Sequence, residues 1–361
     1  ATRAMSCTAL GHLFEASGDR NEMFRSKTQW AIRTGIIGKL LPRLCDPNAD
    51  VAYRALEATR NMLSVGGKVL CDAFMKADVL TVLEKGFVES TTMDVLKDMC
   101  GKETLRRLSL RAVLSVLGLL AEQSDVAVCR ITKSVATRQS ILLCIRAHAN
   151  LPIVAELAAQ LLHIISDNNP MFTQQIRTSA PEQELKTLIQ ENIKDEASAR
   201  TRGCAMRTRL HIAGMFFNTL PSNHMFRNVL LKLVLDCVQI SPLSSLNAAI
   251  KELEKSVEWS EISRVQMNAL EILANMFSDD DEEEEIVILP EIQYQLIDAV
   301  ISLIRILGAG KVWSSFPSQI FNEVHSLRFR ALTCLSNMIQ SVRSGTLRKS
   351  RSDVQRLFDY L

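Results

Sequence analysis

Residues 54–63 read RALEATRNML, and the same ten-residue phrase returns at 111–120 (RAVLSVLGLL), 268–277 (NALEILANMF) and 330–339 (RALTCLSNMI). Each copy opens on Arg or Asn, follows with Ala and a large apolar residue, and repeats apolar residues three and six to seven places later, which marks one face of an α-helix. Looser copies lie at 157–165 (LAAQLLHII) and 212–220 (IAGMFFNTL), and a partial one begins at Arg3 (RAMSCTALG). A helical phrase that recurs at long intervals marks stacked units, none of which can bury its apolar face alone.

The residues at the Ala position are Ala4, Ala55, Ala112, Leu157, Ile212, Ala269 and Ala331, separated by 45 to 62 residues. A HEAT or armadillo unit runs to roughly 40–47 residues, so these units carry loops of variable length. The sequence predicts an all-α protein, an armadillo/HEAT-type superhelical α-solenoid of about seven repeat units. Composition agrees. Apolar residues make up 47% and aromatics only 5% of the chain, so Leu, Ala, Ile and Val carry helix-on-helix packing. With 14 glycines and 9 prolines, and no period-two alternation bounded by Asn-Gly or Asp-Gly, strands have little support.

The nine cysteines are spread singly, without a C-x-x-C pair or a clustered His, so they read as small buried hydrophobes in a reducing compartment. No segment offers 18 uninterrupted apolar residues, and no signal-peptide pattern is present, so the sequence predicts a soluble, intracellular protein without a membrane span. The chain opens on Ala1 inside a repeat phrase and ends at Leu361 without a polar capping unit, which predicts a fragment of a longer solenoid.

Turn signals punctuate the phrases. Asp46-Pro47-Asn48 breaks one helix, Asp50 is the expected cap of the next, and Gly66-Gly67 is its expected end. Further turns are expected at 167–170, 220–223 and 241–242. Two longer polar interruptions span 191–202 and the acidic run Asp279, Asp280, Asp281, Glu282, Glu283, Glu284 and Glu285. Armadillo-like repeats are expected over 1–250, a helix and acidic loop over 251–290, and HEAT-like repeats over 291–361.

No catalytic constellation emerges. The six histidines are scattered, none pairs at helical spacing with another metal ligand, and no phosphate-binding glycine loop is present, so neither enzyme activity nor a cofactor is expected. The position six residues after the Ala is more informative. It holds Asn61, Asn218, Asn275 and Asn337 in four units, His163 in a fifth and Gly118 in a sixth. An Asn there lowers helix propensity and, if buried, must be desolvated. One reading is a row of amides along a groove, each able to pair with the main chain of an extended peptide, as in armadillo import receptors. The other is that each Asn organises its own repeat by bonding to its inter-helix loop.

The acidic run follows the Asn275 helix at its C-terminal end, where negative charge opposes the helix dipole, so helix stability does not account for it. Seven carboxylates in a row attract a strongly basic partner and raise its encounter rate, although such runs also occur as solvated loops. Basic clusters at Arg200, Arg202, Arg207 and Arg209, and at Arg343, Arg348, Lys349 and Arg351, are not interleaved with aromatics. Direct nucleic-acid binding is therefore the weaker inference, and both clusters read equally as exposed helix faces.

Four phrases resemble the symportin family. Residues 60–83 (RNMLSVGGKVLCDAFMKADVLTVL) are similar to an early repeat of that family and 212–233 (IAGMFFNTLPSNHMFRNVLLKL) to a middle one. The A-L-E-I-x-x-N-M phrase with its acidic stretch at 269–285, and RALTCL at 330–335, resemble its later segments in the same order. The resemblance implies an armadillo plus HEAT import adaptor and chaperone. Such a protein captures the two large-subunit ribosomal proteins that accompany 5S rRNA, and shuttles between cytoplasm and nucleus with a nuclear import receptor. It implies a groove for an extended basic segment at Asn61, Asn218, Asn275 and Asn337, with an acidic loop at 279–285. His163, at the same register, joins that candidate groove. Two features depart from the family. Its long acidic insertion precedes the N-A-L-E-I helix, where this chain has the short, mixed-charge stretch 250–265, and its N-terminal basic import signal and last HEAT units have no counterpart here. The alternatives are a generic armadillo/HEAT scaffold and a helical regulatory subunit of an enzyme complex.

Overall fold

The computed structural model describes residues 2–15, 21–98, 104–167, 169–177, 181–190, 198–219, 224–240, 256–277, 290–308 and 318–344. Among these residues the chain is all α-helix with no strand, as the repeat phrase predicts. The expected turns at 220–223 and 241–242 and the acidic run at 279–285 lie outside the described residues.

The helices form two compact units, 1–185 and 186–361. In the first, the repeat phrases fall on α1 (Thr2–Leu13), α4 (Ala49–Lys76), α7 (Leu105–Gln123) and α10 (Pro152–Ser166). α1 packs on α4, α4 on α7 and α7 on α10, so each phrase helix stacks on the phrase helix before it. A second layer, α3 (Ile36–Leu44), α5 (Val79–Ser90) and α9 (Val135–Arg146), stacks in the same order against it. The short helices α2 (Asn21–Arg33), α6 (Met93–Asp98), α8 (Asp125–Lys133), α11 (Pro170–Arg177) and α12 (Pro181–Gln190) complete the connections.

The second unit repeats the plan. α13 (Ala199–Thr219) packs on α15 (Ser256–Met276) and α15 on α17 (Ser318–Ser344), while α14 (His224–Val238) and α16 (Pro290–Gly308) pair with each other in the outer layer. α13 begins at Ala199, so the last residues of the polar interruption read at 191–202 are helix.

Burial explains why the phrase is so uniform. α7 lies between α4 and α10 and must bury two sides at once, which it does with Leu110, Val113, Leu114, Val116, Leu117 and Leu120. Full burial of each such side chain is worth about 1.5–3 kcal/mol. The Ala at the phrase's second position, Ala55, Ala112, Ala269 or Ala331, is 0–2% exposed, small enough to let neighbouring helices approach.

Hydroxyl and amide side chains cut the chain into helices. Ser124 both closes α7 and caps α8, accepting from the Ala127 N–H at 3.3 Å, and Ser134 does the same between α8 and α9 by accepting from Thr137 N–H at 3.3 Å. At α4 the cap is Asn48, whose Oδ1 accepts from Asp50 N–H at 3.0 Å and Val51 N–H at 3.3 Å. The expected cap Asp50 sits inside the first turn, where its carboxylate faces Arg54 at 3.4 Å. The preceding turn is held by Asp46, which accepts from Asn48 N–H at 3.1 Å, from Arg3 at 2.8 Å and from Arg43 at 3.3 Å. The Asn48 N–H foremost, then the two guanidinium groups, hold its carboxyl below the usual carboxylate range against the opposing effect of burial.

Cys7, Cys71, Cys144, Cys204, Cys237 and Cys334 are buried and form no disulfide among the described residues, and burial pushes the Cys144, Cys237 and Cys334 thiols up to about 12. Cys45 and Cys129 are exposed, contrary to the expectation that every cysteine fills the core.

Candidate functional site

The sixth position after each Ala falls on successive stacked phrase helices within each unit, and these positions are taken together as a row. In the first unit the row is Asn61, Gly118 and His163; in the second it is Asn218, Asn275 and Asn337. The residues of the row do not share one environment. Asn61, His163 and Asn337 are half-buried, and Asn218 and Asn275 are exposed.

The half-buried amides reach backward along the stack. Asn61 Nδ2 donates to the Gly11 carbonyl at 3.2 Å, and Asn337 Nδ2 donates to the Ala274 carbonyl at 2.9 Å. Both acceptors belong to the last turn of the preceding phrase helix, and the Gly11 carbonyl also accepts from Phe14 N–H at 3.1 Å. These two Asn residues therefore tie one repeat to the previous one. The reading in which each Asn organises its repeat places the partner in the Asn's own inter-helix loop; for these two it is the preceding phrase helix. Neighbouring positions add to the register: Arg330 pairs with Glu271, and Asn268 lies 3.3 Å from His211 Nε2. Replacing Asn337 with Ala is expected to lower stability by about 1–2 kcal/mol, since a hydrogen bond is lost and a carbonyl is left without it. A urea melt of the variant checks this.

The exposed amides of Asn218 and Asn275 stand on successive phrase helices, α13 and α15. Of the basic cluster read on α13, Arg207 is not on the surface at all: it is 4% exposed and its Nη1 donates to Glu261 Oε2 at 2.5 Å. Arg343 closes α17, and Arg348, Lys349 and Arg351 lie outside the described residues.

Gly118 opens the row in the first unit. In place of a side chain there is a cavity of about 390 Å³, bounded by α4, α7 and α10. Asn61 and Gly118 both line it, above a floor that includes Leu114 and Leu119. The sequence signal for this cavity is the single Gly in a position that otherwise holds Asn or His.

Among the described residues no group of three or more His, Cys, Asp or Glu could hold a metal ion, and no helix is long and apolar enough to cross a membrane. The class defined by fold and row is an all-α helical-repeat protein. No family model and no curated protein matches the chain. Two crystal structures, each of an engineered protein, are similar to it: one at 14% identity and TM-score 0.37, covering 99% of this chain and 94% of the other. The second stands at 14% identity and TM-score 0.39, covering 83% and 97%. At such scores the description of the fold rests on the helix packing itself.

Proposed function

We propose that this chain is a binding protein that captures basic ribosomal proteins of the 5S rRNA particle, chaperones them and serves as adaptor for their nuclear import, shuttling between cytoplasm and nucleus with an import receptor. The observation that carries the reading is the pair of exposed amides, Asn218 and Asn275, on successive phrase helices, followed in the sequence by seven consecutive carboxylates at 279–285. A carboxamide offers a donor and an acceptor together, which is what the main chain of an extended segment requires. The acidic run supplies long-range attraction for a Lys/Arg-rich segment. The four collinear phrases that resemble the symportin family support the choice of cargo.

A generic helical-repeat scaffold is the second reading. It is favoured by Asn61 and Asn337, whose amides are engaged in repeat-to-repeat bonds.

The test is capture of separately purified 5S-particle ribosomal proteins at about 0.15 M salt and at several-fold higher salt. Selective capture that weakens as salt rises is expected. Ala at Asn218 and Asn275 should weaken it by about five- to tenfold each, the effect of roughly 1 kcal/mol per lost hydrogen bond. Equal retention of every basic ribosomal protein, or of none, would leave the scaffold reading.

A further inference from the structure

We infer that copies of this chain associate head to tail, the exposed face of α17 in one copy packing on the exposed face of α1 in the next. The contact is independent of any cargo.

The first observation is one phrase position with two environments. The residue directly after the Ala position is Leu56, Val113, Ala158, Ala213 and Leu270 in α4, α7, α10, α13 and α15, and all five are 0–8% exposed. In α17 it is Leu332, which is 44% exposed, and Phe329, one turn before it on the same side, is 72% exposed. What the other phrase helices bury at this position, α17 leaves bare.

The second observation is the matching face on α1. This helix meets α4 through the side that carries Cys7 and Gly11: both are buried, and a Cβ on Gly11 would stand 3.6 Å from Ala58 Cα. Met5, Ala9 and Leu13, at the four-residue spacing of one helix face, lie on the opposite side and are exposed, Met5 at 70%. An apolar strip thus stands in water on each of the two helices.

Charge and the chain's own packing decide what covers them. Between residues 320 and 340 the exposed positions of α17 include no Lys, Arg, Asp or Glu. At α1 the exposed Arg3 is held by Asp46 at 2.8 Å, and Glu15, just beyond the helix, contacts His12 at 2.9 Å. Neither face suits a strongly charged partner. Both suit a phrase helix, since phrase helix on phrase helix is the contact that joins α1 to α4, α4 to α7, α7 to α10, α13 to α15 and α15 to α17. Placing α17 on α1 of a second copy continues that stacking from chain to chain. Because the two faces differ, the contact is heterologous, and a pair of copies keeps one face of each kind for a further copy.

The experiment is sedimentation velocity of the full 361-residue chain under reducing conditions at about 1, 10 and 100 µM, in about 0.15 M and several-fold higher salt. The mean mass should rise with concentration beyond that of one chain, and the rise should persist at the higher salt. Phe329→Glu and Met5→Glu should each weaken self-association by about tenfold or more, because a charge would have to be desolvated in the contact. Both positions are exposed, so Tm should not fall. Mixed in equal amounts, the two variants should form pairs and nothing larger, since the Met5→Glu chain keeps its α17 face and the Phe329→Glu chain its α1 face. Should either chain fail to fold, Leu332→Glu and Leu13→Glu carry the same test. A parent chain that is monomeric at about 100 µM would overturn the proposal and leave the α17 face to another occupant, such as residues 345–361. So would a mixture no heavier than either variant alone, or loss of assembly in only one variant, which would mean that like faces meet. Assembly that survives both substitutions would place the contact elsewhere, and assembly lost at the higher salt would be that of the acidic run with the basic clusters; either result overturns it.

Discussion

Changing Arg207 to Ala is expected to destabilise the second unit by about 3–5 kcal/mol, the penalty for removing one partner of a buried ion pair. Arg207 and Glu261 have side chains 4% and 9% exposed, and the guanidinium donates at 2.5 Å. Without it, the Glu261 carboxylate stays in the interface between α13 and α15 with little to replace the bond. Arg264 lies 4.0 Å from its other oxygen, but is 61% exposed and screened by water. The neighbourhood is built tightly around the pair: a Cβ on Gly203 would run into the Glu261 carboxylate, and Arg207 Nη2 also reaches Cys204 Sγ at 3.5 Å. Replacing the pair together, Arg207→Met with Glu261→Leu, should restore most of the loss, because desolvation of both charges is then avoided. Urea melts of the single and double variants decide the matter. A single variant within about 1 kcal/mol of the parent would mean that water reaches Glu261 and that the pair acts as a surface bridge.

Arg207 also shows where a sequence reading stops. Along the chain it is one of four arginines within ten residues, and charge runs are ordinarily exposed. Its burial is fixed by Glu261, 54 residues away, and nothing in the local pattern announces that partner. The phrase helices were legible for the opposite reason. Each packs on at least one other phrase helix, and α4, α7 and α15 lie between two of them, so the same spacing of small and large apolar residues recurs along each stack. The outer layer, α3, α5, α9, α14 and α16, has no such recurring phrase. The row at the sixth position was legible as a row, but its division was not. Whether an Asn at this position is half-buried, as Asn61 and Asn337 are, or exposed, as Asn218 and Asn275 are, depends on the packing around it, which one side chain does not encode.

Gly67→Ala is expected to cost about 1–3 kcal/mol, because φ 49° and ψ −142° place this residue where an L side chain is strained. Gly66-Gly67 reads as the end of a helix, yet α4 continues to Lys76 with Gly67 as a break within it. The break lies between two inter-repeat contacts. Before it, Asn61 reaches back to the Gly11 carbonyl; beyond it, the Cys71 thiol reaches the Leu120 carbonyl at 3.9 Å on the following phrase helix. Gly66 is fixed by crowding: a Cβ there would press on the side chain of Leu70, which is fully buried and has no room to withdraw. Gly86→Ala in α5 is the internal control. A Cβ at that helical position meets nothing within 4 Å, so the substitution should stabilise the chain by about 0.5–1 kcal/mol through helix propensity alone. Urea melts that give the two substitutions opposite signs would assign the Gly67 loss to backbone geometry. A Gly67→Ala chain as stable as its parent would mean that α4 can run straight, and that neither inter-repeat contact depends on the break.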